Sequence, residues 1–233
     1  MMILYGCLWC GVILLASAAT VKYIYPRYTA AKKSNDECEE EQPAKKSEPF
    51  FREWGTIVLI GIMVAFAVGC GMSVWRFKTE WISIAILLVT HTFLAVSALV
   101  DYKYYKIPNY CIIGMVAARA VLSVAEILVY GWPVFWDGIV ECVITAVVGV
   151  IVLLTISKVT HGGIGYGDIK LMGGVAFLCG LRAFLYSFLL GMVFCAVLSI
   201  VLLTMKKKKA KDEVPMAPFI YMGFAVAIIL GIC

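Results

Sequence analysis

Charge is what this chain has least of. Only 15% of its 233 residues are Asp, Glu, Lys or Arg, against 63% hydrophobic residues, and the mean hydropathy is +0.94. A soluble domain runs near a quarter charged and half apolar, so the composition excludes one and defines an all-α polytopic membrane protein. Neither GxGxxG nor GxxxxGK[ST] occurs, which removes a phosphate-cradling nucleotide loop. GxSxG is missing too, and with it a serine-hydrolase elbow. No internal repeat is present. The nine cysteines are odd in number and scattered mainly along apolar segments, where cysteine packs as a small hydrophobe. They imply neither a disulfide framework nor a redox compartment. A net charge of +5 needs no nucleic acid, because lysines and arginines also set membrane topology.

What is present is a series of apolar segments near the roughly 20 residues a bilayer requires. Eight are expected: Met1–Ile24, Trp54–Trp75, Trp81–Val100, Tyr110–Tyr130, Gly138–Ser157, Ile169–Leu181, Ala183–Met205 and Met216–Cys233. The sixth is short, and its boundary with the seventh is the least defined. With the N-terminus outside, the inside loops collect fifteen lysines and arginines and the outside loops three. That asymmetry places both termini outside a cell (inner or plasma) membrane. Ala16-Ser17-Ala18 resembles a signal-peptide cleavage site, yet no positive charge precedes the apolar run while Lys22 and Arg27 follow it. That is the reverse of a secretory signal, so an uncleaved first helix is expected. Residues 26–53 mix both charges, as a solvated linker does. Lys206 to Lys209 read as a topology anchor or a contact with anionic membrane lipid.

Residues 162–171, GGIGYGDIKL, place four glycines in the six positions before Asp168. Such a run cannot be a stable helix, and irregular backbone near a bilayer is tolerated only where protein covers it or it lines a wet cavity. A carboxylate at that break, opening the next helix, is placed for chemistry. A second stands at matching depth: Asp101 directly follows the apolar run Trp81–Val100, and Pro108 marks the bend before the next helix. Two nearby carboxylates share a proton, because both cannot ionise cheaply together. The ionised member can deprotonate water while the protonated one polarises a peptide carbonyl. The dipole of the helix opening at Asp168 hints at that residue as the base. No metal or cofactor is required. The bare loop would let a substrate backbone come close. Against this stands the alternative that both aspartates are ordinary interfacial caps.

Gly165-Tyr166-Gly167-Asp168, with Ile169-Lys170-Leu171, resembles the GxGD-x-K-L signature of type IV prepilin peptidases, membrane aspartyl proteases that remove the leader of prepilins and pseudopilins. Asp101 with Ile107-Pro108-Asn109 resembles that family's other aspartate motif. Pro215-Met216-Ala217-Pro218-Phe219 is similar to its P-x-x-P-F element. The likeness covers Trp81–Cys233 as a six-helix peptidase core behind a helix pair in residues 1–80. It implies Asp101 and Asp168 as the catalytic pair, with Gly165, Gly167, Lys170, Pro108, Pro215 and Pro218 near substrate. It also implies a cut after a glycine, between a short basic leader and a hydrophobic helix, at the cytoplasmic face. Bifunctional members carry two Cys-x-x-Cys pairs suited to zinc and also N-methylate the product. Here loop 26–53 holds only Cys38, and Cys7 and Cys10 lie in the first apolar segment. No structural zinc is expected, and methyl transfer is not implied.

Rival readings are a presenilin-like or preflagellin GxGD protease, and a transporter using Asp101, Glu126, Glu141 and Asp168 as a proton or cation path. Presenilin-like enzymes place a tyrosine before the aspartate, whereas Tyr102 follows Asp101. Glu126 lies seven residues from Arg119 on one helical face, which predicts a shared polar contact. His91 reads as a hydrogen-bonded core residue, and His161 borders the glycine loop. Lys170 is equally a substrate anchor or a snorkelling interfacial lysine. Assembly into a homo-oligomer is left open by the sequence.

Overall fold

The computed structural model describes residues 49–77, 79–204 and 214–232 and a few positions before residue 49. Among these residues every regular element is a helix. Most of the expected first span, Cys7, Cys10 and Cys38, most of loop 26–53 and Lys206 to Lys209 lie outside the described residues.

Six helices follow in order: α1 Pro49–Arg76, α2 Trp81–Tyr104, α3 Asn109–Tyr130, α4 Trp132–Val159, α5 Tyr166–Thr204 and α6 Ala217–Ile229. Four of them, α2 to α5, are long and apolar enough to cross a membrane, and shorter apolar stretches cover Val58–Val74 and Ala217–Ile229. Helix ends fall where backbone chemistry forces them. Tyr105 closes α2 in the left-handed region (φ 54°), its N–H bonded to Asp101 O. Pro108, extended, opens α3. Gly131 (φ 81°) separates α3 from α4, which begins six residues before the expected Gly138. The added turn carries Trp132, Phe135 and Trp136 in mutual ring contact. Amphipathic aromatics of this kind occupy the membrane–water boundary, which a hydropathy reading centred on aliphatic residues passes over. Pro49–Arg76 likewise starts before the expected Trp54.

The expected sixth and seventh spans are the two halves of α5, which meet at a non-helical break at Gly180 (φ 77°, ψ −165°). A straight helix of 39 residues would reach about 59 Å, twice the roughly 30 Å hydrocarbon core. Its neighbours on α4 show what happens instead. Gly173 meets Val150, Gly180 meets Glu141, and Phe184 returns to meet Gly149. The chain climbs α4 and comes back down it. The reversal rests on one residue in a backbone conformation that side chains rarely adopt, just before the boundary expected at Leu181.

The returning half of α5 packs on α6, which also touches α1 and α2. Helix α6 is apolar all round, as suits a fully enclosed helix: Ile220, Tyr221, Phe224, Ala225 and Ala227 are all at 0% exposure. Lipid tails are as apolar as leucine, so close backbone approach between small residues drives such contacts. Gly191 lies against the Phe219–Ile220 backbone, and Gly223 against Ser187 and Gly191.

The buried polar groups mostly find partners nearby. His91 is enclosed as expected, with Nε2 2.7 Å from the Tyr221 hydroxyl, which donates to Met63 O at 3.1 Å. Arg119 and Glu126 form the expected contact, an ion pair at 3.0 Å with Arg119 buried.

Candidate active site

Asp101 occupies the last turn of α2 and is 6% exposed. Its Oδ2 accepts the Ala217 N–H at the start of α6, at 3.1 Å, and the neighbouring Met216 N–H adds a weaker pull toward the ionised form. Thus the Pro215–Pro218 segment, far along the chain, is folded against the first aspartate. Pro218 is buried in the opening turn of α6, and Pro215 is half-buried just before it.

Asp168 occupies the first turn of α5 and is half-buried. Its Oδ1 is enclosed and accepts no hydrogen bond. Asp101 lies within electrostatic reach of it. The glycine loop that delivers Asp168 is pinned at both sides. The Ser157 hydroxyl donates to Ile164 O at 2.7 Å, Ile164 is 5% exposed, and the Gly163 N–H reaches Thr160 Oγ1 at 3.2 Å. The Ile169 N–H bonded to Gly165 O (3.1 Å) then starts the helix.

The two aspartate loops also touch directly. A Cβ at Gly167 would lie 3.3 Å from Ile107 Cβ, and one at Gly165 would lie 3.0 Å from Asp168 Oδ2. Glycine at both positions leaves room for the neighbouring loop and for the carboxylate itself. Pro108 is buried one residue after Ile107. Lys170 is exposed. His161, exposed and left-handed (φ 53°), belongs to the loop, whereas His91 and the Arg119–Glu126 pair belong to the packed interior. Glu141 faces Gly180 at the turn of α5. Among the described residues, no group of three His, Cys, Asp or Glu side chains is placed to hold a metal ion.

Two contributors left no mark in the sequence: the Ala217 N–H and the Ser157 staple. A backbone donor carries no residue signature.

The fold and site together define a polytopic helical membrane protein with two carboxylates gathered at helix ends beside a glycine loop. Residues 86–200 match the model of the type IV leader peptidase family, and through them the chain belongs to that family. The prepilin leader peptidase/N-methyltransferase of Bacillus subtilis is 30% identical over 142 residues, covering 59% of this chain and 52% of the relative. The proteins of the same name from Stutzerimonas stutzeri and Pseudomonas aeruginosa are 26% and 25% identical, over 69% and 73% of this chain and 54% and 57% of their own lengths. The chain therefore spans about half the length of the curated relatives it matches. No solved structure matches it significantly.

A graded test of the loop contact follows from the Ile107–Gly167 packing. Gly167→Leu pushes the two aspartate loops apart and is expected to lower the activity of the site about 100-fold, since a shift near 1 Å can have that effect. Adding Ile107→Ala makes room for the new side chain and is expected to restore most of it. Cleavage assays on the single and double variants check this. A double variant no better than Gly167→Leu alone would refute the contact's role.

Proposed function

We propose that this protein is a membrane aspartic endopeptidase that removes the N-terminal leader of prepilins or pseudopilins. Asp101 and Asp168 activate one water between them, at the cytoplasmic face of the cell membrane. The observation that carries this reading is the meeting of three separate short motifs at one place. Asp101 accepts a bond from the Pro215–Pro218 segment, and the loop holding Asp168 packs on Ile107 of the Asp101 motif. Family membership supports the peptidase chemistry, and the names of the relatives support a prepilin-like substrate. A basic leader followed by a hydrophobic helix suits carboxylates held at the end of membrane helices, with the bare Gly165–Gly167 loop as the approach for its backbone. On this reading residues 81–233 form the peptidase core and residues 1–80 a helix pair before it.

The proposal covers peptide hydrolysis and stops short of methyl transfer, because loop 26–53 holds a single cysteine. A proton path through the membrane finds less support, since Glu126 is neutralised by Arg119 within its own helix. The test is co-expression with a candidate prepilin and mass spectrometry of the product's N-terminus. The expected product lacks the leader and carries an unmethylated first residue. A prepilin left intact by the native chain, across several candidates, would overturn the reading.

A further inference from the structure

The two aspartates are not held alike. Asp101 Oδ2 receives the Ala217 N–H at 3.1 Å, with the Met216 N–H nearby. These are among the N–H groups that the opening turn of a helix leaves unused. Asp168 also sits in the first turn of its own helix, yet its enclosed Oδ1 takes none of that helix's N–H groups. Its Oδ2 folds over Gly165, where there is no side chain to meet it. Backbone donors favour the ionised form of a carboxylate, and charge-assisted bonds of this kind are the strong ones. An enclosed carboxyl oxygen without donors is better kept neutral.

Resting on the two-aspartate reading above, we propose that the Pro215–Ala217 entry to α6 is a positioning element that keeps Asp101 ionised as the general base and leaves the shared proton on Asp168. This reverses the assignment that the α5 dipole alone favours. In the reaction, Asp101 takes a proton from water as the water oxygen bonds to the peptide carbon. Asp168 gives its proton to the carbonyl oxygen, forming a neutral gem-diol. Asp101 then passes its proton to the leaving nitrogen as the C–N bond breaks, and one hydroxyl of the diol returns a proton to Asp168. One water is consumed, a carboxyl and an amine are produced, and both aspartates end as they began.

The test removes the donor and also weakens the Met216 carbonyl, which accepts the Phe219 and Ile220 N–H groups, so a second ester in the same turn serves as the control. Ala217 is replaced by its α-hydroxy analogue, converting the Met216–Ala217 amide to an ester, and cleavage is followed against pH in bilayer discs. Loss of an N–H to an ionised base makes that form harder to keep. The acid limb of the profile is therefore expected to move to higher pH by about one unit, with the alkaline limb unmoved. The same replacement at Met216, whose N–H exerts the weaker pull on Asp101, is expected to move it less. An ester at Phe219, which breaks the Phe219 N–H bond to Met216 O in the same turn, is expected to move neither limb. A shift of the alkaline limb would place the proton on Asp101 and overturn the assignment. A uniform fall in rate with both limbs in place would reduce the α6 entry to a purely structural part. A native chain that cleaves no prepilin would overturn the two-aspartate reading itself.

Discussion

Asp101→Asn and Asp168→Asn are each expected to lower leader cleavage by about 1,000-fold or more, with the helical fold retained. General acid–base catalysis contributes about 100- to 10,000-fold, and each change removes one half of a unit that works only as a pair. Asparagine is the informative substitute at both sites. At Asp101 its carbonyl oxygen can still accept the Ala217 N–H, so α6 keeps its anchor while the base is lost. At Asp168 an amide can occupy the same enclosed space but has no proton to transfer. Residues that act as one unit are strongly non-additive, so the double variant is expected to be no slower than either single one. Glu126→Gln and Glu141→Gln lie outside the site and are expected to cleave at the native rate. Circular dichroism and single-turnover cleavage of a prepilin check all five proteins. Cleavage surviving in either aspartate variant would take that residue out of the reaction.

The pH profile carries the same logic. Two coupled carboxylates lose their protons in two steps that belong to the pair. Activity requires the singly protonated state, so it falls on both sides: at low pH because the base is protonated, at high pH because the donor is spent.

How much of this was legible in the chain depended on whether side chains or backbone carried the information. Asp168 could be found because four glycines cannot be helical between two apolar runs, and Asp101 because a charge ends an apolar run just before a proline. Arg119 and Glu126 were readable as a pair from helical periodicity, and His91 as a core residue from its apolar setting. The turn at Gly180 was harder. Hydropathy does not dip there, because Leu178 and Leu181 flank it, and only a positive φ distinguishes this glycine from the helical Gly173 and Gly174. The early start of α4 was missed because Trp132 and Trp136 are boundary residues and Asp137 interrupts the apolar count. The Ala217 donor and the Ile107–Gly167 contact are products of tertiary packing and could not be read from one dimension.

Gly223→Ala is expected to destabilise the protein by about 3 kcal/mol, near the upper end of what overpacking usually costs, and to silence the site as it does so. A Cβ at Gly223 would stand 2.5 Å from Ser187 O and 2.7 Å from Gly191 N, both backbone atoms of the returning half of α5. Neither can rotate away, so α6 and that helix must separate. Gly191 offers no relief, because its own Cβ position is already 3.1 Å from Ile220 Cα and Phe219 O. Separation here acts on chemistry through geometry: α6 begins at Ala217, whose N–H holds Asp101. Loss of activity should therefore track loss of stability in Gly223→Ala, measured by unfolding in detergent alongside prepilin cleavage. Gly138→Ala provides the contrast. It lies in a regular stretch of α4 with nothing within 4 Å of the new methyl group, so helix propensity alone applies and a gain of about 1 kcal/mol is expected. A Gly223→Ala protein as stable as the native one would mean that the α5–α6 crossing is looser than its contacts state, and that the anchoring of Asp101 does not depend on it.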